Sequence, residues 1–248
     1  MRTAVVWDVL RAAVGASPGS EQGASGEPLA VLDVLDVLDV GGGTGGFAVP
    51  LAVLGHRVTV VDPSPDALAS LQRRAGESGV AVSAVQGDAA GLLEVVDPAS
   101  ADLVLCHGVL EQVDDVAPAV SALVAVLRPG GTLSVLVAHR NAVVLARAVA
   151  GHFTEARHAL DDPDGRWGRG DPMPRRFTEP ELLDVLSGAG LRVDGVHGVR
   201  TVADLVPGGL VDLEPGAADA LVELELAMAH LPAFRAVATQ LHVLATRV

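Results

Sequence analysis

The stretch that decides the fold is AVLDVLDVLDVGGGTGG, Ala30 to Gly46, in which Leu-Asp-Val occurs three times before a run of glycines. A strand over the whole repeat would extend about 30 Å, well beyond the usual five or six residues. We therefore predict that only Val37–Val40 forms the strand. Asp33 and Asp36 are expected in a lead-in turn or an overhang. Asp39 then lies at the carboxyl end of the strand, where open α/β sheets bind ligands.

The chain is long enough for one large α/β domain with an insertion, at 248 residues of which 50% are hydrophobic. No apolar run approaches the ~18 residues that a membrane-spanning helix needs, so no membrane partner is expected. The N-terminus carries Asp8 and Arg11 inside an apolar pattern, which predicts an amphipathic helix and not a signal peptide. Cys106 is the only cysteine, which excludes a disulfide framework and fits a cytoplasmic protein.

The order of apolar and helical patterns predicts the architecture. A Gly/Ser/Pro-rich stretch follows the first helix, so we expect an N-terminal helix and linker over 1–29 and the main domain over 30–248. Within the main domain, apolar runs such as RVTVVD (57–62) alternate with helical patterns. This alternation predicts an α/β fold, a mostly parallel sheet with helices on both faces.

The charge of the chain is strongly acidic, with 17 basic residues against 31 acidic ones and a net charge of −14. An acidic protein is a poor general binder of nucleic acid unless it has a local basic patch. The segment from His139 to Arg176 is the candidate patch, because it holds seven arginines against five acids. An ordinary solvated insertion of mixed charge explains the same segment equally well.

The glycines after the repeat fit two patterns. Gly41, Gly43 and Gly46 match the dinucleotide fingerprint, in which an acid on the next strand holds a ribose. The spacing Asp39-x-Gly41-x-Gly43-x-Gly45 is also present, and it resembles the first motif of class I S-adenosylmethionine-dependent methyltransferases. In that family the acid receives the ammonium group of the cofactor. A nicotinamide cofactor has no such ammonium, so Asp39 favours the methyltransferase.

Further motifs resemble the same family. Asp62 ends the second predicted strand, GDAA follows the third strand, and LRPGGTL (127–133) resembles the turn before the family's fifth strand. The resemblance implies a Rossmann-like, seven-stranded sheet with a small insertion after the fifth strand, at 139–177, and S-adenosyl-L-methionine as cofactor. Capping of a helix or turn is the alternative role of the acids. The cofactor-binding residues that the resemblance implies are Asp39, Gly41, Gly43, Gly45, Asp62, Asp88, Ala89 and His107.

A narrower resemblance runs nearly from end to end, from AVVWDVL (4–10) onward, and most of its motifs lie in the C-terminal half. CHGVLEQV (106–113), ARAVAGHF (146–153), GVRTVADLV (198–206) and LVELELAM (221–228) resemble the tRNA 5-carboxymethoxyuridine methyltransferases, which methylate a carboxylate on a wobble uridine. The resemblance implies a possible tRNA substrate. The chain contains no tyrosine, however, so it offers little surface on which a base would stack. A small carboxylate substrate stays open for this reason.

Two residues are the candidates for catalysis. A carboxylate acceptor is ionised at pH 7 and needs no general base, but it needs a cation to orient it. Arg200 suits that role because its planar fork matches a carboxylate, and His107 follows the fourth strand beside the expected methyl donor. A loop-fixing histidine and a salt-bridging arginine are the alternatives. The rival functions are a small-molecule O- or N-methyltransferase, a non-catalytic S-adenosylmethionine-binding protein, and an NAD-dependent oxidoreductase.

Overall fold

A seven-stranded sheet organises the chain in the computed structural model, which describes residues 3–15, 34–207, 209, 211 and 215–248. The strand order is β3-β2-β1-β4-β5-β7-β6, and only β7 runs antiparallel to its neighbours. The predicted mostly parallel, seven-stranded Rossmann-like sheet is therefore confirmed. The strands are β1 Asp36–Val40, β2 Arg57–Asp62, β3 Ser83–Gln86, β4 Ala101–His107, β5 Leu127–Ala138, β6 Leu191–Val199 and β7 Gln240–Arg247.

The helices pack on both faces of this sheet. Three begin with a side-chain cap: Ser64 accepts a hydrogen bond at the start of α3, Asp115 does so at the start of α5, and Thr178 with Glu181 forms the predicted capping box of α8. Among the described residues no helix is long and apolar enough to cross a membrane. The helices are α1 Ala4–Gly15, α2 Ala48–Val53, α3 Pro65–Glu77, α4 Leu92–Val95, α5 Val116–Val126, α6 Arg140–Val149, α7 Phe153–Asp161, α8 Glu179–Gly188, α9 Ala217–Ala229 and α10 Pro232–Arg235.

The first strand includes one aspartate that we did not expect in it. β1 begins at Asp36, whose carboxylate contacts Arg57 at 2.6 Å and Arg128 at 2.8 Å. Arg57 holds the pKa of Asp36 down to about 2, and Arg128 adds to this effect against the cost of burial. The expectation of a lead-in turn or overhang is therefore wrong for Asp36, because these ion pairs fix it at the start of the strand. Asp33 lies outside the described residues.

Each face of the sheet has its own apolar core. One core joins β4 and β5 to α5 and α8 through buried leucines such as Leu123 and Leu182. The other joins β1 and β2 to α2, α3 and α1, and it includes Val6 and Leu10 of α1. The N-terminal helix is thus packed into the same body as the sheet.

The segment after β5 carries α6 and α7 and then returns to the sheet, where the Phe177 backbone forms a bridge with His139. Carboxylates neutralise five of its seven arginines, in pairs whose nitrogen–oxygen distances lie between 2.5 and 3.1 Å. Arg176 is buried against Asp171. Most of the positive charge of the predicted basic patch is therefore neutralised within the protein. The ion pairs are Arg140–Glu181, Arg147–Glu155, Arg157–Asp161, Arg175–Asp164 and Arg176–Asp171.

Candidate functional site

A cavity of about 580 Å³ opens at the carboxyl ends of the parallel strands. This is the edge at which open α/β sheets bind ligands. The structure brings four of the predicted cofactor residues to its wall, together with Gly108 and the turn that follows β4. These four residues are Gly41, Asp62, Asp88 and Ala89.

The loop after β1 needs glycine at position 41, which the rival fingerprints share, and at position 45, which separates them. Gly41 has a φ of 72°, and a Cβ there would lie 2.3 Å from Cγ2 of Val109. Gly45 has a φ of 80°, and a Cβ would lie 2.3 Å from Cδ1 of Leu71. Gly46 has neither constraint, since nothing lies within 4 Å of its added Cβ. The loop geometry thus requires the glycines of the Asp-x-Gly-x-Gly-x-Gly pattern but not the last glycine of the dinucleotide pattern.

Asp39 is a buried carboxylate, only 2% exposed, beneath this loop. Its Oδ2 atom is buried without a hydrogen-bond partner, and a Cβ on Gly42 would lie 2.6 Å from that atom. Burial, with a further contribution from the nearby charge of Asp62, raises the pKa of Asp39 to about 7. An unpaired buried carboxylate is costly unless a cation or donor reaches it. The position therefore fits a ligand that carries an ammonium group.

Asp62 and Asp88 also accept hydrogen bonds from backbone N–H groups of the neighbouring loops. Asp62 accepts hydrogen bonds from the N–H groups of Gly43 and Ser64, both at 2.9 Å. Oδ1 of Asp88 accepts from the N–H groups of Ala90 and Gly91, at 3.0 and 2.9 Å. The capping role that we considered as an alternative is thus present in both. It coexists with their position on the cavity wall, because a carboxylate can accept about four hydrogen bonds.

His107 ends β4 immediately before Gly108 of the cavity wall, but its side chain is not part of that wall and lies inside a group of rings. The Phe47 ring meets it edge to face with centroids 4.7 Å apart, and Trp7 of α1 stacks on Phe47 at 5.1 Å. Nε2 of His107 lies 2.8 Å from Oγ of Ser134, while its Nδ1 is buried without a partner. Burial lowers the pKa of His107 to about 3, so the imidazole is neutral at physiological pH.

Arg200 follows β6, as expected, but its guanidinium is engaged within its own loop. Its Nε and Nη2 atoms donate to Oδ1 of Asp204 at 3.0 and 2.6 Å. Its backbone has a φ of 60°, and its carbonyl accepts a hydrogen bond from the Thr239 hydroxyl at 2.9 Å. The salt-bridging alternative therefore describes its contacts, and an acceptor carboxylate would have to share the guanidinium with Asp204.

Two buried acids shape the neighbouring loops and were missed by the sequence analysis. Glu225 of α9 accepts hydrogen bonds from three consecutive backbone N–H groups, at 201, 202 and 203, at 2.7–2.8 Å. Glu111 accepts from the N–H of Ala138 at 2.6 Å, and burial raises the pKa of its carboxyl group. An acid inside an otherwise apolar helical pattern, as in LVELELAM, was the available signal for Glu225.

The insertion contacts the cavity wall through Arg175. Arg175 donates from Nη1 to the carbonyl of Val113 at 3.0 Å and from Nη2 to that of Asp114 at 3.4 Å. Both residues line the cavity. Arg175 therefore ties the segment after β5 to the turn after β4, and it is not a free surface cation.

Comparison with known proteins agrees with this geometry. Residues 38–135 match the sequence family described as a methyltransferase domain. The chain is 31% identical over 209 residues to the tRNA 5-carboxymethoxyuridine methyltransferase of Escherichia coli O157:H7, covering 82% of this chain and 72% of that protein. It is 36% identical over 191 residues to the ubiquinone biosynthesis O-methyltransferase of Methylocella silvestris, covering 74% and 65% of the two chains.

Solved structures share the fold. An S-adenosylmethionine-dependent methyltransferase from Mesorhizobium loti superposes with a TM-score of 0.62 at 20% identity over 98% of both chains. Another from Methanosarcina mazei gives a TM-score of 0.60 at 17% identity, over 87% of this chain and 93% of that one. Sheet order, glycine loop and sequence relatives agree, and the chain belongs to the class I S-adenosylmethionine-dependent methyltransferases.

Proposed function

We propose that this methyltransferase transfers the methyl group of S-adenosylmethionine to an oxygen, a carboxylate or hydroxyl, of a small molecule. The observation that carries the proposal is neutral His107, which lies at the carboxyl end of β4 with an unpartnered Nδ1 and a ring neighbour in Phe47. A neutral imidazole can donate or accept one hydrogen bond at an acceptor oxygen. The O-methyltransferase relative from Methylocella silvestris supports an oxygen acceptor.

In the proposed complex, residues at the ends of the first three strands each contact a different part of the cofactor. Asp39 receives the ammonium group, because its buried Oδ2 lacks a partner. The backbone at Gly41, Gly43 and Gly45 lies along the aminoacyl part. The carboxylate of Asp62 accepts the ribose hydroxyls, and Asp88 and Ala89 meet the adenine at the cavity wall. When bound, the cofactor supplies a methyl group on a positively charged sulfur.

Calorimetry tests these contacts. S-adenosylmethionine and S-adenosylhomocysteine should bind and NAD should not. Asp39→Ala should weaken binding by about 1–3 kcal/mol, the range for a lost charged hydrogen bond. Asp36→Ala is the matched control, because Asp36 lies at the opposite end of the same strand. Tight binding of NAD without a response to S-adenosylhomocysteine would contradict the assignment.

The main task of the protein toward the acceptor molecule is to orient it, and acid–base catalysis is secondary. In-line methyl transfer depends on the distance and angle between the reacting atoms. His107 is proposed to contact the acceptor oxygen. Arg200 is proposed to attract an acceptor carboxylate while it also holds Asp204. The clamp of Glu225 on residues 201–203 fixes the loop that carries this arginine.

A tRNA substrate is the second candidate, supported by 31% identity to the Escherichia coli enzyme over most of the chain. The charge distribution favours the small molecule instead. The net charge is −14, and most arginines of the insertion are paired with carboxylates. Phosphate attraction supplies much of the affinity for RNA, so a surface with few free cations binds it weakly.

Methyl transfer to bulk tRNA and to a panel of small carboxylic acids and phenols, at two salt concentrations, separates the candidates. A small-molecule enzyme should methylate a member of the panel with little salt dependence, and exposed Arg169→Glu should leave its KM unchanged. An RNA enzyme should methylate tRNA, lose activity steeply with salt, and show a higher KM in that variant. Cofactor binding without transfer to any acceptor would favour the non-catalytic alternative.

His107→Asn tests the role of the imidazole, and His230→Asn is its matched control. His230 caps the C-terminus of α9 and contacts the ring of His197, not that of His107. The first variant should lose most of its turnover while binding S-adenosylhomocysteine normally. The second should retain both properties. Equal turnover of the two variants would contradict a role for His107 at the acceptor.

A further inference from the structure

The turn after β4, residues 108–115, supplies more lining residues to the cavity than any other segment. Val113 and Asp114 lie in its last part, outside the helices and strands, so no regular backbone ladder fixes their carbonyl groups. The guanidinium of Arg175 contacts them instead, with Nη1 3.0 Å from the carbonyl of Val113 and Nη2 3.4 Å from that of Asp114. A planar guanidinium can hold two acceptors at once in a fixed geometry. Arg175 therefore sets the position of this part of the cavity wall.

Arg175 is itself held by the insertion. Its Nε donates to Oδ1 of Asp164 at 3.1 Å. The backbone of Asp164 is fixed on both sides, because its N–H donates to Asp162 at 2.9 Å and its carbonyl accepts from the N–H of Arg176 at 2.8 Å. The side chain of Arg175 is 24% exposed, so salt screens its interactions less than those of an open surface cation.

The loop over residues 162–176 is braced from within, although it contains no helix or strand. The carboxylate of Asp171 accepts from two backbone N–H groups of the loop, at 2.9 and 3.0 Å. The buried guanidinium of Arg176 donates two further hydrogen bonds to the same carboxylate, at 2.6 and 3.0 Å. Because these contacts fix the shape of the loop, the cavity wall cannot shift with Arg175 bound unless the whole loop shifts with it.

We infer that Arg175 is a positioning residue for the cofactor, through which the insertion contributes to cofactor affinity and the bound cofactor stabilises the insertion. The inference rests on the proposed binding of the cofactor in this cavity. A ligand that contacts Val113 or Asp114 favours the arrangement in which Arg175 holds their carbonyl groups. Coupling between two sites is reciprocal, so the bound ligand must also oppose the opening of the loop that holds Arg175. The insertion thus acts on the cofactor through the backbone of the cavity wall.

Amide hydrogen exchange of the full chain, with and without saturating S-adenosylhomocysteine, tests the coupling. In the wild type the ligand should slow exchange at 108–115 and also at 162–176. In Arg175→Ala the slowing at 162–176 should disappear while that at 108–115 remains. Arg157→Ala is the matched control and should behave as the wild type, because Arg157 belongs to the same insertion but pairs with Asp161 of its own helix.

The wild type alone separates this inference from the proposed cofactor site. Slowing at 108–115 without slowing at 162–176 would overturn the inference and leave the cofactor site intact. Unchanged exchange at 108–115 would overturn both, because the ligand would then not occupy this cavity.

Affinity and kinetics separate positioning from a general loss of structure. Arg175→Ala should bind S-adenosylhomocysteine about tenfold more weakly than Arg157→Ala, the effect of one charged hydrogen bond. Its KM for S-adenosylmethionine should rise while its KM for the acceptor stays unchanged. Arg175→Lys keeps the charge beside Asp164 but cannot hold two carbonyl groups at once, so it should recover little affinity. Equal affinity in the two alanine variants, or an equal rise of both KM values, would overturn the inference. If Arg175→Ala does not fold, Arg175→Lys is read in the same way.

Discussion

Replacing Asp39 with asparagine removes a buried negative charge and keeps the shape of the side chain. In the folded chain the pKa of Asp39 is raised from its ordinary 3.8 to about 7, first by burial and then by the charge of Asp62. A pKa difference of one corresponds to about 1.4 kcal/mol. The ionised carboxylate therefore destabilises the ligand-free protein by up to about 4 kcal/mol above pH 7, and the asparagine variant should be more stable by that amount.

The pH dependence of this gain has a definite sign. Between pH 4 and pH 7 the folded chain binds a proton at Asp39 that the unfolded chain has released, so wild-type stability falls as the pH rises. Asparagine does not titrate. The advantage of Asp39→Asn should be full above pH 7, decline as the pH falls, and vanish below pH 4. Urea denaturation at pH 8, pH 5 and pH 3.5 measures it.

The control and the binding arm complete the test. Asp36→Asn should destabilise the protein at pH 8, because Arg57 and Arg128 hold the pKa of Asp36 down to about 2. Saturating S-adenosylhomocysteine should stabilise the wild type much more than Asp39→Asn. The reasoning is refuted if Asp39→Asn is no more stable than the wild type at pH 8, or if its gain is the same at every pH.

Deleting one Leu-Asp-Val copy should leave the stability of the protein unchanged. Deleting Leu32–Val37 puts Ala30 in the position of Asp36 and removes its ion pair with Arg57. Thermal melting should then show a loss of about 1 kcal/mol, the value of an exposed ion pair. Arg200→Ala should abolish turnover of a carboxylate substrate with nearly unchanged cofactor affinity, and Arg200→Lys should recover little. Arg200→Gly should be more stable than Arg200→Ala by about 1 kcal/mol, because the backbone is left-handed there. Glu225→Gln should raise the acceptor KM in steady-state assays without changing calorimetric affinity for S-adenosylhomocysteine, since it loosens only the loop that the glutamate clamps.

The sheet was predictable because its signals are local. Apolar runs that alternate with helical patterns give parallel strands, and Asp39 with its glycines is contiguous in sequence. The ion pairs of Asp36 were not predictable, because Arg128 is 92 residues away and meets it only once β4 and β5 are in place. Features formed by residues that are close in the sequence could therefore be predicted, whereas contacts between residues that are far apart in the sequence could not.

The same reason explains the histidine site. His107 was identified from its position after a strand. The ring of His242 lies 5.9 Å from that of His107 because β7 enters the sheet between β5 and β6, antiparallel to both. No local pattern in the sequence specifies that insertion. Arg200 is the converse case: its position at the end of a strand was predicted, but its partner Asp204 lies four residues later in the same loop and was not considered.

The repeat that leads into β1 has a consequence for how this gene can vary. Its copies are identical in amino-acid sequence, so adding or removing a whole copy leaves the residues from Leu35 to Val40 unchanged while two copies remain. Asp36 keeps both of its arginine partners in every such allele. Gaining or losing three residues at this point therefore does not change the sequence or the ion pairs of β1, and selection for a stable strand does not act against it. Alleles of this gene should differ here in steps of one tripeptide, and a shift by a single residue should be absent, because it would turn the buried side chains of the strand to the opposite face.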